Sequence, residues 1–157
     1  MIENEPSSVN IKDLLSSQSL IVSCQADLDT PTNFLEMIVA FARSAEMGGA
    51  GGLRLNSAEH VAAVRSISNL PIIAIHKKYT SNSNVLITGD HLQIPSLIEA
   101  GAKIIAFDAT ERERPSTLED IVHIIHENGA LALADIRDIS DVERCIQLGV
   151  DAIATTL

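Results

Sequence analysis

Short apolar runs alternate along the chain with longer stretches in which apolar residues recur every three or four positions. The runs predict β-strands near 20–25, 52–55, 71–76, 103–107, 131–134 and 151–155, uninterrupted in the way that strands covered on both faces are. Between the first two, Phe34, Leu35, Ile38, Val39, Ala42 and Ala45 fall on one helical face, with Thr30 as the expected cap and Pro31 in the first turn. Ser57 is positioned to cap a second helix whose inner face would be Val61, Val64 and Ile67. Leu118, Ile121, Val122 and Ile125 predict another behind Pro115, and Ser140 with Glu143 forms a capping box ahead of Val142, Cys145 and Ile146. The segment 80–94 reads as a polar loop leading into a short helix around Pro95.

A unit repeats: helix, glycine, small residue, apolar run, polar end. It appears as EMGGAGGLRL, EAGAKIIAFDAT, ENGALALADI and LGVDAIATTL, and Gly48, Gly101, Gly129 and Gly149 stand where a left-handed residue would end each helix. Alternating strands and helices imply parallel pairing with right-handed crossovers, hence an α/β protein. An open doubly wound sheet and a (β/α)8 TIM barrel share that pattern. The repeat is about 26 residues, so eight units would need about 210 residues, within the usual size of a barrel. The chain reaches Leu157 directly behind the sixth apolar run. The barrel reading therefore expects an incomplete barrel of about six strands and five helices, with two strands and three helices lying beyond. It divides the chain into a polar N-terminal leader or first helix at 1–19 and a partial barrel domain at 20–157. Such a domain would leave a parallel edge uncovered, an aggregation liability that suggests a truncated product.

Composition narrows the class. Of 157 residues, 46% are apolar and 20% charged, which excludes disordered and low-complexity chains, and with 3% aromatics the interior must be aliphatic. Eleven basic against 21 acidic residues give a net charge of −10, without a basic stripe to follow phosphates, so no nucleic-acid partner is expected. Cys24 and Cys145 lie far apart in apolar surroundings and read as reduced core thiols. With a polar N-terminus and no apolar stretch long enough to span a bilayer, the expected location is cytoplasmic and no membrane partner is implied.

In either architecture a ligand would sit at the carboxyl ends of the strands. The first polar residues there are Ser23 and Gln25, Arg54 and Asn56, Lys77 and Lys78, Asp108 and Thr110, Asp135, Thr155 and Thr156. Lys77 follows PIIAIH, so its stem leaves a buried strand while its amine faces the mouth, where desolvation favours a neutral, basic amine. Lys78 points the opposite way along an extended chain, so at most one of the two belongs to the site. The alternating TERERP segment reads either as local ion pairs or as an anion-binding pair, Arg112 with Arg114. GGAGG precedes a strand, whereas a dinucleotide fingerprint follows one. His123 and His126 share a helix face, but no Cys or carboxylate cluster accompanies them, so no metal is expected there. Cys24 reads as a small core residue, with no His nearby in sequence to activate it.

LIVSCQ, GGLRLN, PIIAIHKK, IIAFDATERERP, ALADI and DAIATTL, in that order and spacing, resemble the bacterial N-acetylmannosamine-6-phosphate 2-epimerases (N-acylglucosamine-6-phosphate 2-epimerases) from about Leu20 to Leu157. The resemblance implies a (β/α)8 barrel isomerase that interconverts N-acetyl-D-mannosamine 6-phosphate and N-acetyl-D-glucosamine 6-phosphate in sialic-acid or amino-sugar catabolism. It implies no metal or organic cofactor. It places the catalytic lysine at Lys77, substrate-binding residues at Gln25 and Arg54, and a site aspartate at Asp135. The family's opposing glutamate on strand seven, its SGYT segment and its glycine-rich phosphate turn would all fall beyond Leu157, so the chain as written is expected to hold half the site. Ser57, Gly89 and His76 depart from the family's usual residues. Two other readings compete: a different sugar-phosphate barrel enzyme, in which Lys77 forms a Schiff base, and a non-catalytic barrel module whose open edge forms a homodimer.

Overall fold

The computed structural model describes residues 10–15, 20–27, 29–78 and 85–157. Residues 79–84, in the polar loop expected from 80, and most of the 1–19 leader lie outside them. Six strands follow one another: β1 (Ile21–Ser23), β2 (Gly52–Asn56), β3 (Ile72–Ile75), β4 (Ile104–Asp108), β5 (Leu131–Asp135) and β6 (Ala152–Ala154). They pair in chain order and all in parallel. Six helices accompany them among the described residues: α1 (Ile11–Leu14), α2 (Leu35–Met47), α3 (Ala58–Arg65), α4 (Ile94–Glu99), α5 (Leu118–Glu127) and α6 (Ile139–Leu148). Five of them follow the strands expected to carry them, and α1 lies in the 1–19 stretch read as a leader or first helix. No helix among the described residues is long and apolar enough to cross a membrane.

The order of the strands decides between the two α/β architectures. A doubly wound sheet reverses its strand order at a switch point and carries helices on both faces. Here the order never reverses, and α2 to α6 pack on one face through Ile38, Ala42, Val61, Val64, Ile94, Leu97, Ile121, Ile125 and Cys145. The sheet residues they meet are Leu53, Leu55, Ile72, Ala74, Ile105, Phe107, Ala132 and Ala134. Alternate residues, Ile73, Ile75, Ile104, Ala106, Leu131 and Leu133, form a second core on the opposite, concave face. Helix α1 closes the base of that concave core with Ile11, Leu14 and Leu15. Gly52 leaves room for it, since a Cβ there would lie 2.7 Å from Ile21 Cδ1 and 3.2 Å from Leu15 Cδ2. Burying each large aliphatic side chain stabilises the fold by about 1.5–3 kcal/mol, so the two cores together hold the wall in its curl.

Several local expectations shift. Helix α2 begins at Leu35, behind an extended Phe34 with no side-chain cap. Thr30 and Pro31 lie in the turn before it, where the Thr30 hydroxyl donates to the Asp27 carbonyl at 2.8 Å. Gly101, Gly129 and Gly149 take positive φ as expected, but in the first unit that residue is Gly49, at +88°, while Gly48 remains at −79°. The capping box of α6 is Asp138 with Asp141, two residues ahead of the Ser140–Glu143 pair, because a carboxylate accepts the orphan N–H groups directly. Ile67 falls in the turn beyond α3 and Ile146 on the outer face of α6, both exposed.

Ser57 does cap α3, accepting from the His60 N–H at 3.3 Å, but at φ 71° and ψ 150°. That region is nearly reserved for glycine and costs other residues about 1–3 kcal/mol. Replacing a serine cap with glycine costs only a few tenths of a kcal/mol. Ser57→Gly is therefore expected to stabilise the fold by about 1 kcal/mol, read as a higher urea midpoint; an unchanged or lower midpoint would show that the backbone at Ser57 is unstrained.

Candidate active site

The residues that continue the concave face past its apolar core form a polar layer at the carboxyl ends of the strands. By alternation these are Ser23 and Gln25, Arg54 and Asn56, Lys77, Asp108, Asp135 and Thr156. Thr155 and Lys78 fall on the other parity. Arg54 on β2 and Asp135 on β5 meet across the mouth in a bidentate pair: Nη1 donates to Oδ1 at 3.1 Å and Nη2 to Oδ2. The Thr156 hydroxyl adds a third donor to Asp135 Oδ1 at 2.5 Å. Asp135 is fully buried and the Arg54 side chain 16% exposed, so the pair lies in a medium where an unpartnered carboxylate would be costly. On a flat sheet β2 and β5 would stand about 14 Å apart, three strand spacings; curvature is what brings their side chains together.

Lys77 leaves the end of β3 on the concave side. Its backbone N–H donates to Asn56 Oδ1 at 2.8 Å. Its amine lies 3.8 Å from Asp27 Oδ1, beyond the end of β1, and its side chain is 22% exposed. The amine thus leans over β2 toward β1. Gln25 lies on the same rim, its Nε2 donating to Ser23 Oγ at 2.8 Å. Of the four residues singled out from the sequence, Arg54 and Asp135 touch directly, while Lys77 engages Asp27 and Gln25 engages Ser23. Asp27 was not anticipated; its sequence signal is the same alternation that marks Ser23 and Gln25. Lys78 turns away, lining with His76, Val85 and Pro115 a small cavity outside the mouth.

The ends of β3 and β4 are held apart. They pair only through Ile73–Ala74 and Ile104–Ile105. Beyond that, Leu86–Thr88 runs between them, antiparallel to β3 through an isolated Lys77–Ile87 bridge. Lys78 N–H donates to the Leu86 carbonyl at 3.0 Å, Thr88 N–H to the His76 carbonyl at 2.8 Å, and Asp108 N–H to the Ile87 carbonyl at 3.3 Å. The Thr88 hydroxyl accepts from His76 N–H at 3.1 Å and donates to the Ala106 carbonyl at 2.7 Å.

The TERERP arginines serve the end of β4. Asp108 accepts from Thr110 N–H at 2.8 Å, the Thr110 hydroxyl at 2.5 Å and Arg112 Nη1 at 3.2 Å. The buried Arg114 donates to the carbonyls of Asp108 and Thr110. The local ion-pair reading of the segment holds. Burial pushes the Cys24 and Cys145 thiols above their usual range, as for inert core residues. His126 pairs with Asp151 at 2.9 Å and His123 with Glu127 at 3.9 Å. Among the described residues no three His, Cys, Asp or Glu side chains cluster as metal ligands.

A parallel sheet that curls in chain order, with helices outside and polar groups gathered at the carboxyl mouth, is the wall of an incomplete (β/α)8 barrel, a fold whose ligands bind at that mouth. The family described as "Putative N-acetylmannosamine-6-phosphate epimerase" matches residues 38–157, and the chain belongs to it. Its relatives include proteins named "Putative N-acetylmannosamine-6-phosphate 2-epimerase" from Glaesserella parasuis and Vibrio vulnificus. The first is 41% identical over 88% of this chain and 60% of the relative. The second is 42% identical over 92% and 64%. The solved N-acetylmannosamine-6-phosphate 2-epimerase from Clostridium perfringens superposes with a TM-score of 0.89 at 32% identity, covering 95% of this chain and 66% of that one. The chain thus spans somewhat less than two thirds of each of these three proteins.

Two measurements probe this layer. Asp135→Ala leaves Arg54 without its carboxylate in a mostly buried position and should destabilise the fold by about 3–5 kcal/mol, whereas the paired Arg54→Met/Asp135→Leu variant should lose much less. Equal losses in urea denaturation would mean that the pair acts independently of its burial. His76, at the outer side of the mouth, is held below the usual imidazole range by burial and secondly by Lys78, with Asp90 opposing. The unfolded chain therefore takes up that proton first as pH falls, so stability should be level above about pH 6.5 and decline below it. His76→Gln should flatten that decline; an unchanged slope would remove His76 as its source.

Proposed function

We propose that this chain carries the deprotonating half of an N-acylglucosamine-6-phosphate 2-epimerase. Its substrate is the phosphorylated amino sugar N-acetyl-D-mannosamine 6-phosphate, interconverted with N-acetyl-D-glucosamine 6-phosphate in cytoplasmic amino-sugar catabolism. The observation that carries this reading is the Lys77 amine on the concave rim, on the same polar layer as the Arg54–Asp135 pair. Family membership and the names of the relatives support the substrate class.

The chemistry follows from what epimerisation next to a carbonyl demands. In the open-chain sugar, the Lys77 amine acts as the base, taking the proton from carbon 2 and becoming an ammonium. The electron pair left behind moves into a carbon 1–carbon 2 double bond, and the carbonyl oxygen becomes an enolate oxygen. Arg54 and Gln25 are the donors that stabilise that oxygen as its charge develops. Asp135 orients Arg54, its two oxygens holding the guanidinium plane fixed across the mouth. Return of a proton to the opposite face of carbon 2 completes inversion, and the resemblance assigns that step to a glutamate on a seventh strand.

A single base exchanges the carbon 2 proton on one face without inverting the centre. The 157-residue chain in heavy water is therefore expected to remove the carbon 2 proton signal of one epimer faster than buffer, followed by proton NMR. Lys77→Ala should exchange at the buffer rate while its circular dichroism is unchanged. Exchange that survives in Lys77→Ala would remove Lys77 as the base, and exchange absent from both epimers with the parent chain would overturn the reading.

A further inference from the structure

Thr88 takes φ 45°, in the left-handed region, although the adjacent residue is a glycine free to do so at no steric cost. A β-branched residue there is a conformational outlier, and it persists only when its surroundings over-determine it. The side chain is buried, and its hydroxyl occupies the position at which β3 and β4 would otherwise continue their ladder, between His76 N–H and the Ala106 carbonyl. A backbone carbonyl or a glycine could not fill both roles, since one atom must accept from β3 and donate to β4. The hydroxyl is therefore a wedge that separates the ends of the two strands while satisfying both. The residue immediately after the wedged His76 is Lys77, whose own N–H is held from the other side by Asn56.

We infer that Thr88 is a positioning residue: its hydroxyl sets the spacing between the ends of β3 and β4, and so the direction in which the Lys77 amine enters the mouth. This deepens the proposed function and rests on Lys77 being its base. Without the hydroxyl, His76 N–H and the Ala106 carbonyl both lose their partner. The end of β3 is then held on that side by backbone bonds alone, and the strand end from which Lys77 departs can rotate. A shift of about 1 Å at a reacting group is enough to cost about a hundredfold in rate.

The test compares three variants of the full chain. Thr88→Ser keeps the hydroxyl. Thr88→Val keeps the branched shape without it. Thr88→Gly removes the hydroxyl and also relieves the backbone, so it folds even where valine does not. The carbon 2 exchange rate, the affinity for N-acetylmannosamine 6-phosphate and amide hydrogen exchange at His76 are measured for each. Thr88→Ser should stay within about threefold of the parent, while Thr88→Gly should lose about a hundredfold in exchange rate with affinity nearly unchanged and stability equal or higher. A Thr88→Gly chain as fast as the parent, or one whose loss lies wholly in affinity, overturns the inference. If the parent itself exchanges no carbon 2 proton, it is the proposed function that has failed. The wedge is then decided by His76 amide protection, which Thr88→Gly should lose and Thr88→Ser retain; protection kept in Thr88→Gly overturns it.

Discussion

A carboxylate with no exposure to water must be paired, and Asp135 is paired from the far side of the sheet. Its partner Arg54 stands three strands away, so the pair can form only if the wall bends. The bend in turn is what turns alternate residues of six strands toward a common axis. Apolar side chains fill the lower part of that concavity and polar ones rim it. Helix α1 caps the apolar end, which leaves the carboxyl mouth as the polar opening. The ionic clasp and the curl of the sheet are thus two descriptions of one constraint, and every candidate residue of the site is placed by it.

Around this clasp, neighbouring strand ends are fixed by side chains in place of ladder bonds. Asn56 reaches from β2 to the backbone of Lys77, and Thr88 stands between β3 and β4. Asp108 and Arg114 fold the connection after β4 back on itself. The two non-glycine residues with positive φ among those described, Ser57 and Thr88, lie beside β2 and β3, on either side of Lys77. Strained backbone of this kind gathers where function needs an unusual direction. Among the described residues it is absent from the connections leading from helix to strand, where Gly101, Gly129 and Gly149 take the left-handed positions instead.

Much of this could be read from the sequence because parallel strands advertise themselves as uninterrupted aliphatic runs. All six strands fall within a few residues of their expected places, and Arg54, Lys77 and Asp135 stood out as first polar residues at the ends of those runs. The barrel could not be told from an open sheet until the strand order was known. The start of α2 was misjudged because Thr30-Pro31 suits a turn as well as a helix start. The role of Ile11, Leu14 and Leu15 was hidden in a stretch too short and too polar in its surroundings to show a periodic face. Contacts between distant segments, such as Lys77 with Asp27 and Thr88 with Ala106, leave no local pattern at all. They are set by curvature and by a loop folding back between two strands.

The central claim is that the curled mouth presents the Lys77 amine to the carbon next to a sugar carbonyl. The most direct measurement is a crystal structure of the chain with the reduced, open-chain form of N-acetylmannosamine 6-phosphate. The account predicts Lys77 Nζ at about 3–3.5 Å from carbon 2, with Arg54 still on Asp135 and its remaining donors turned to the oxygen on carbon 1. An amine that stays on Asp27, with the sugar bound elsewhere, would contradict it.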